Sequence, residues 1–165
     1  MELETCNMKT LVIGLGNPIL GDDGVGWKIV ERVNASLDTR HPDIETDCLS
    51  LGGLSLMERM LGYRKVVIVD SMETGQSPAG SVRVYKLEEL PNPSAGHSAS
   101  AHDTSLITAL DTAKAMGLPI PESVEIVAIE AKNVYDLSEE LSPAVAEAVP
   151  LAAQAVINLL NKEEP

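Results

Sequence analysis

The 165-residue chain is long enough for one ordinary hydrophobic core, and with 44% hydrophobic residues, no Phe and 2% aromatics it must build that core from Val, Ile, Leu and Ala. Its 12 Lys and Arg against 25 Asp and Glu give a formal charge of −13, which repels phosphate and argues against both a general nucleic-acid binder and an anionic membrane surface. No apolar run approaches the roughly 20 residues of a bilayer span, the first eight residues have neither a basic flank nor an apolar segment, and Cys6 and Cys48 are too few for a disulfide framework or a cysteine zinc site, so a cytoplasmic protein with free thiols is expected.

Strand candidates alternate with helix candidates, the pattern of a mostly parallel sheet with crossover helices, and neither an internal repeat nor a linker divides the chain. One domain over residues 1–165 is expected, with its core at about 9–160. The first strand, Lys9 to Gly14, contains the β-branched, uncharged run Thr10 to Ile13, suited to burial on both faces. It runs into the glycine-rich stretch from Gly14 to Gly26, which carries the adjacent acids Asp22 and Asp23 before a helix from Asp23 to Ser36 with Trp27, Ile29, Val30 and Val33 on its apolar face.

Gly14-Leu15-Gly16 begins like a dinucleotide fingerprint, but Ile19 occupies the third glycine position and Pro18 deletes a backbone donor. Two carboxylates there would repel phosphate. They either cap the following helix or line a site, since ligands of open α/β sheets bind at the carboxyl ends of the strands.

His41, before Pro42, reads as a solvated loop residue ahead of a second strand, Ile44 to Ser50, and a helix from Leu54 to Leu61. A third strand, Lys65 to Asp70, finishes on an acid that either belongs to a site or stops the strand by binding its own backbone. If the strands of Ile13 and Val69 are neighbours, their ends lie within about 10 Å, given a strand spacing of roughly 4.8 Å, and Asp70 faces the loop of Asp22 and Asp23. No helical segment separates Ser71 from Gly80, so a fourth strand, Ser81 to Lys86, is expected to return antiparallel as a hairpin with a long loop.

His97 falls in an irregular segment from Asn92 to Ala101. His102 directly precedes a helix from Asp103 to Met116, whose Leu106, Ile107 and Leu110 make a packing face and whose N-terminus disfavours the imidazolium. A fifth strand, Val124 to Glu130, leads to a final helix, Ser142 to Asn161, with an apolar stripe and a kink predicted at Pro150; Lys162 to Pro165 is a frayed end. Nucleophilic alternatives are poorer: there is no Gly-x-Ser-x-Gly elbow, Ser71 has no histidine beside it in sequence, and Cys48 reads as a structural thiol.

The sequence from Gly14 to Gly26, with Gly52-Gly53, the strand ending at Asp70, the Pro78-Ala79-Gly80 turn, His102 and Leu141-Ser142-Pro143, resembles the hydrogenase maturation endopeptidases. These trim the C-terminal extension from the large subunit of nickel-iron hydrogenases, and the likeness runs from Lys9 to about Leu160.

The resemblance implies a three-layer α/β domain of the phosphorylase/hydrolase type, with a five-stranded mixed sheet and helices on both faces. It also implies an aspartyl-type or metal-dependent endopeptidase whose partner is the large-subunit precursor. Carried over by position, the metal ligands are Asp23, Asp70 and His102, with no separate catalytic residue assigned. Many members have Glu where this chain has Asp23, one methylene longer, and Asp22 is the alternative ligand. Two carboxylates and an imidazole with open positions suit nickel, zinc or cadmium. In this family's scheme nickel arrives with the substrate as a checkpoint. Gly52 and Gly53 either let substrate backbone approach or form a plain turn.

Two alternatives remain. A non-catalytic nickel-dependent protein that binds the precursor would keep the same three ligands. Peptidyl-tRNA hydrolase shares an opening similar to Gly14 to Pro18, but the acidic charge opposes it and no matching histidine follows soon after.

Overall fold

The computed structural model describes residues 9–37, 41–90 and 101–162, the side chains of 101–105 excepted. In chain order the elements are β1 (Thr10–Leu15), a 3-10 turn (Gly21–Gly24), α1 (Val25–Ser36), β2 (Ile44–Leu49), α2 (Gly53–Met60), β3 (Lys65–Met72), β4 (Val82–Lys86), a 3-10 turn (Leu87–Glu89), α3 (Ala101–Ala115), β5 (Ser123–Glu130) and α4 (Pro143–Asn161). The five strands form one mixed sheet in the order β2-β1-β3-β5-β4. All neighbours are parallel except β4, which runs antiparallel to β5.

Strand alternation divides the core into two layers. Leu11, Ile13, Val66, Ile68, Met72, Ile126 and Ala128 meet Leu56 and Met60 of α2 and Leu106, Leu110 and Ala113 of α3. On the opposite face, Val12, Val67, Val69, Val127 and Ile129 meet Ile29 and Val33 of α1 and Val145, Ala152 and Val156 of α4. At Gly26 the first helix lies almost on the sheet: a Cβ there would stand 2.4 Å from the Val69 carbonyl oxygen and 2.7 Å from that of Leu15. The close helix packing that Ile19 rules out at its own position is thus supplied by a later glycine.

Expectations for the fourth strand, the third strand and the first helix need correction. The fourth strand is antiparallel, as predicted, but it makes no hairpin with β3; β5 lies between them, and Val84 pairs with Val127 of β5. The third strand does not stop at Asp70, because Ser71 and Met72 continue its ladder with Ile129 and Glu130. Asp22 and Asp23 do not cap α1, whose N-cap is Gly24 with no side-chain hydrogen bond.

The last helix passes through Pro150 without interruption. Pro150 and Ala146, whose carbonyl loses its partner to the proline, are both exposed, so water can take up the freed acceptor. By length and composition alone its 19 residues, with a mean hydropathy of 1.4, are enough to cross a membrane, which corrects the reading that no apolar run approaches that length. In the fold α4 packs on α1 and β5, and its final turn is tied to the sheet where the buried Lys65 Nζ donates to the Leu159 carbonyl at 2.8 Å.

Candidate active site

The parallel strands β1, β2, β3 and β5 end at one edge of the sheet, and β1 lies between strands reached by crossovers on opposite faces, α1 leading to β2 and α2 to β3. Such a switch of direction opens a crevice at the strand ends. Pairing between β1 and β3 finishes at Gly14 and Val69, whereas β1 stays with β2 through Leu15 and Leu49 and β3 stays with β5 through Met72 and Glu130. The two central strands therefore part immediately before Asp70. That residue stands in the cleft as a strand residue, and its side chain shares the α2/α3 face with Ile68 and Met72.

Asp70 is 3% exposed, and its Oδ1 accepts the Ser71 N–H at 2.8 Å. Ser71, on the opposite face of the strand, donates its hydroxyl to Asp23 Oδ1 at 3.2 Å. Asp23 Oδ2 accepts the Asn17 N–H at 2.8 Å. Each oxygen of this half-buried carboxylate thus takes one donor and keeps further acceptor capacity. The loop from Gly16 to Asp23 folds on itself to achieve this: Ile19 N–H donates to Asn17 Oδ1, and Asp23 N–H to the Leu20 carbonyl. Gly16 takes φ +135°, and a Cβ there would lie 2.0 Å from the Asp23 carbonyl oxygen.

Asp22 has a different task. It is 0% exposed, and its Oδ1 and Oδ2 accept the N–H and hydroxyl of Ser142 at 2.7 and 2.8 Å. Ser142 is the N-cap of α4, so the carboxylate caps a helix 120 residues away, where an anion also meets the positive end of the helix dipole. Both Asp22 oxygens face the protein interior, and Asp23 is the acid left beside the cleft.

His102 is the second residue of α3, one residue inside the helix start rather than before it. Since α3 leads to the beginning of β5, its first turn lies toward the edge that holds Asp23 and Asp70. The His102 side chain, like His97 and Cys6, lies outside the described residues. Among the described residues no three of His, Cys, Asp and Glu gather as a metal cluster. Gly52 is extended and Gly53 has φ +53°, so the turn into α2 by itself accounts for glycine at the second position. His41 is exposed, in keeping with a loop residue.

Two roles near the cleft escaped the sequence reading, which weighed Ser71 only as a nucleophile. Ser71 links both carboxylates, one through its hydroxyl and one through its N–H. Glu130, 6% exposed at the end of β5, receives the Thr74 and Gly75 N–H groups at 3.0 and 2.8 Å and so fixes the loop after β3. A serine beside the strand-end acid was the available signal for the first; nothing local marked the second. Burial, and then the nearby Glu31 and Asp47, push the Cys48 thiol up to about 11, which disfavours the reactive thiolate.

Residues 49–159 match the hydrogenase maturation protease (HycI) family. The hydrogenase expression/formation protein HupD of Rhizobium leguminosarum bv. viciae is 24% identical over 93% of this chain and 74% of that protein. The structure is similar to the hydrogenase maturating endopeptidase HybD of E. coli, with a TM-score of 0.77 over 93% of this chain and 92% of the other; at 23% identity this is a likeness of fold. The nickel-iron hydrogenase maturation protease HybD of Thermococcus kodakarensis is 25% identical, with a TM-score of 0.69 over 92% of this chain and 99% of the other. With the family match covering most of its length, the chain belongs to the hydrogenase maturation proteases and is a peptide hydrolase.

Proposed function

We propose that this protease removes the C-terminal extension of a nickel-loaded nickel-iron hydrogenase large-subunit precursor, and that the nickel in that substrate is the recognition element, docking on Asp23, Asp70 and His102. Zinc or cadmium can stand in for it, given the same two carboxylates and imidazole. The observation that carries the reading is the Asp23–Ser71–Asp70 linkage at the point where β1 and β3 part. It holds one half-buried and one buried acid at the edge where this fold class binds ligands.

Hydrolysis then needs a water to add to the scissile carbonyl, a carboxylate to accept its proton, and return of that proton to the leaving amine. Cleft carboxylates supply the acceptor, and the docked metal places the peptide bond beside them. A precursor carries its metal only after loading, so the same contact makes loading a condition of cleavage.

Intact-mass spectrometry of the precursor, with and without nickel loading, tests this after incubation with the protein. Loss of a C-terminal peptide from the loaded form alone is the expected result. Cleavage of both forms refutes the checkpoint, and an unchanged mass with a stable complex makes the protein a binding partner instead. An Asp70→Asn variant that processes at the full rate removes Asp70 from the mechanism.

A further inference from the structure

Beyond Val69 the third strand leaves β1, and its last residues, Asp70, Ser71 and Met72, run in register with Ala128, Ile129 and Glu130 of β5 alone. They carry both groups that the cleft takes from this strand, the Asp70 carboxylate and the Ser71 hydroxyl that donates to Asp23. A strand end paired on one side has fewer contacts than the middle of a sheet and opens at a lower free energy. Whatever keeps the end of β3 closed therefore also sets the geometry of the cleft acids.

The contacts that do so gather on one residue. Glu130 is the cross-strand partner of Met72, and the N–H after it, that of Ala131, donates to the Met72 carbonyl at 2.8 Å. The Glu130 side chain takes the chain as it leaves β3: Oε1 accepts the Thr74 and Gly75 N–H groups at 3.0 and 2.8 Å, and Oε2 accepts the Thr74 hydroxyl at 2.8 Å. Its backbone takes the same excursion as it returns, where Glu130 N–H donates to the Ser81 carbonyl at 2.9 Å and Gly80 N–H donates to the Glu130 carbonyl at 2.7 Å. Residues 73–81 are thus a loop whose two ends close on Glu130.

The carboxylate is buried, whereas Thr74 is half-buried and Gly75 exposed. Without the acceptor, water can reach these donors, so the loss falls on the order of the loop rather than on unsatisfied groups in the core. Gly75 has φ +67°, and nothing lies within 4 Å of where its Cβ would stand, so hydrogen bonds rather than packing hold the chain at this turn. Two residues apart on neighbouring strands, the Asp70 and Glu130 backbones stand about 8 Å from one another, given a strand spacing of roughly 4.8 Å and a rise of ~3.3 Å per residue. With three donors on its carboxylate, Glu130 acts on Asp70 through the chain between them.

We propose that Glu130 is a positioning residue for the cleft: by closing residues 73–81 on itself it keeps the one-sided end of β3 in the ladder, and so keeps Asp70 and Ser71 where Asp70 and Asp23 together meet the metal. This rests on those acids being the docking site and adds what holds them in place. The requirement is for an acceptor of the right reach rather than for charge. A glutamine carbonyl takes both N–H groups in place of Oε1, and its NH2 donates to the Thr74 oxygen in place of Oε2, the hydroxyl turning to suit. Aspartate keeps the charge but withdraws the acceptor by one methylene.

The test is calorimetric titration of cadmium, together with steady-state processing of the nickel-loaded precursor, for the full-length wild type, Glu130→Gln, Glu130→Asp, Glu130→Ala and Val33→Ala. Val33 is buried near the end of α1 that leads to β2, away from the cleft, so its variant lowers the thermal midpoint without touching the site. Glu130→Ala and Glu130→Asp are each expected to lose about tenfold or more in cadmium affinity and in kcat/KM, Glu130→Gln to stay within about threefold in both, and Val33→Ala to leave both alone. Glu130→Asp carries the test by itself if Glu130→Ala does not fold. Wild-type values in the folded Ala or Asp variants, a loss in Glu130→Gln equal to theirs, or an equal loss in Val33→Ala overturns the inference. If wild-type protein leaves the loaded precursor intact, the functional reading fails and this inference with it; if wild type cleaves and the Ala and Asp variants match it, only the inference fails.

Discussion

Removing Asp22 is expected to weaken the fold far more than it alters the site. The side chain is 0% exposed and takes two hydrogen bonds from Ser142, at 2.7 and 2.8 Å. A hydrogen bond to a charged group contributes about 1.5–3 kcal/mol. Ser142 is half-buried, so water can replace part of what is lost, and the low end applies to each bond. Asp22→Ala therefore costs about 3 kcal/mol, or a fall of about 6–12 °C in the thermal midpoint at the ~2–4 °C per kcal/mol of a domain this size.

Asp23→Ala is expected to cost only about 1 kcal/mol, since its donors, the Asn17 N–H and the Ser71 hydroxyl, border the cleft and water can reach them in its absence. The assay is thermal and urea unfolding by circular dichroism, paired with calorimetric titration of cadmium into each folded variant. Asp22→Ala should keep its cadmium affinity within about threefold, whereas Asp23→Ala should lose most of it. Loss of metal binding in Asp22→Ala at an unchanged midpoint would refute the argument and make Asp22 the ligand.

Ser71→Ala is expected to weaken cadmium binding about tenfold without moving the thermal midpoint by more than a few degrees, because the hydroxyl that orients Asp23 is gone while the N–H to Asp70 remains. Ser71→Thr restores the affinity, and equal affinity in all three proteins shows that the hydroxyl orients nothing. With Cys6 replaced by Ser, iodoacetamide at pH 8 should modify Cys48 about two hundredfold more slowly than a peptide thiol, since its pKa is pushed up to about 11 against about 8.5 for a free thiol. The rate should then climb tenfold per pH unit up to that value. A peptide-like rate at pH 8 contradicts the burial that holds the thiol protonated.

The central strands were legible because their chemistry is local. Leu11 to Ile13, Val66 to Val69 and Ile126 to Ile129 are apolar, largely β-branched runs, and each became the buried part of a strand. The orientation of β4 was also legible, since no helix fits between Ser71 and Gly80. Its neighbour was not. That depends on β5, which begins 37 residues after β4 ends, and nothing within Val82–Lys86 distinguishes β5 from β3 as a partner. Ser71 was read beyond the strand because an acid can end a strand by binding its own backbone, and Asp70 Oδ1 does accept the Ser71 N–H, yet the Ser71 backbone also pairs with Ile129 and its hydroxyl is used on Asp23. What the fold adds is that Asp23 and Asp70 stand at neighbouring strand ends and are joined through Ser71. The hydrogen bonds that join them are contacts between distant segments, which spacing alone does not reveal.

The division of labour between Asp22 and Asp23 follows from the turn that holds them. Both lie in the 3-10 segment Gly21–Gly24, and in such a turn successive residues are rotated by about 120°. With one carboxylate directed inward to the start of α4, its neighbour is carried round toward the end of β1, where Gly16 is bare enough for the Asp23 backbone to approach. A turn that caps α4 through its first acid therefore delivers its second acid to the cleft. The consequence is mechanical as well as geometric. The Asp22–Ser142 contact and the Ser138–Ile19 ladder bind the glycine loop to the segment that leads into α4, so Asp23 and the start of α4 are positioned by one set of hydrogen bonds. A substitution that frees α4 from Asp22 should thus shift both together, and the small loss of cadmium affinity expected in Asp22→Ala should scale with the fall in thermal midpoint rather than appear without it.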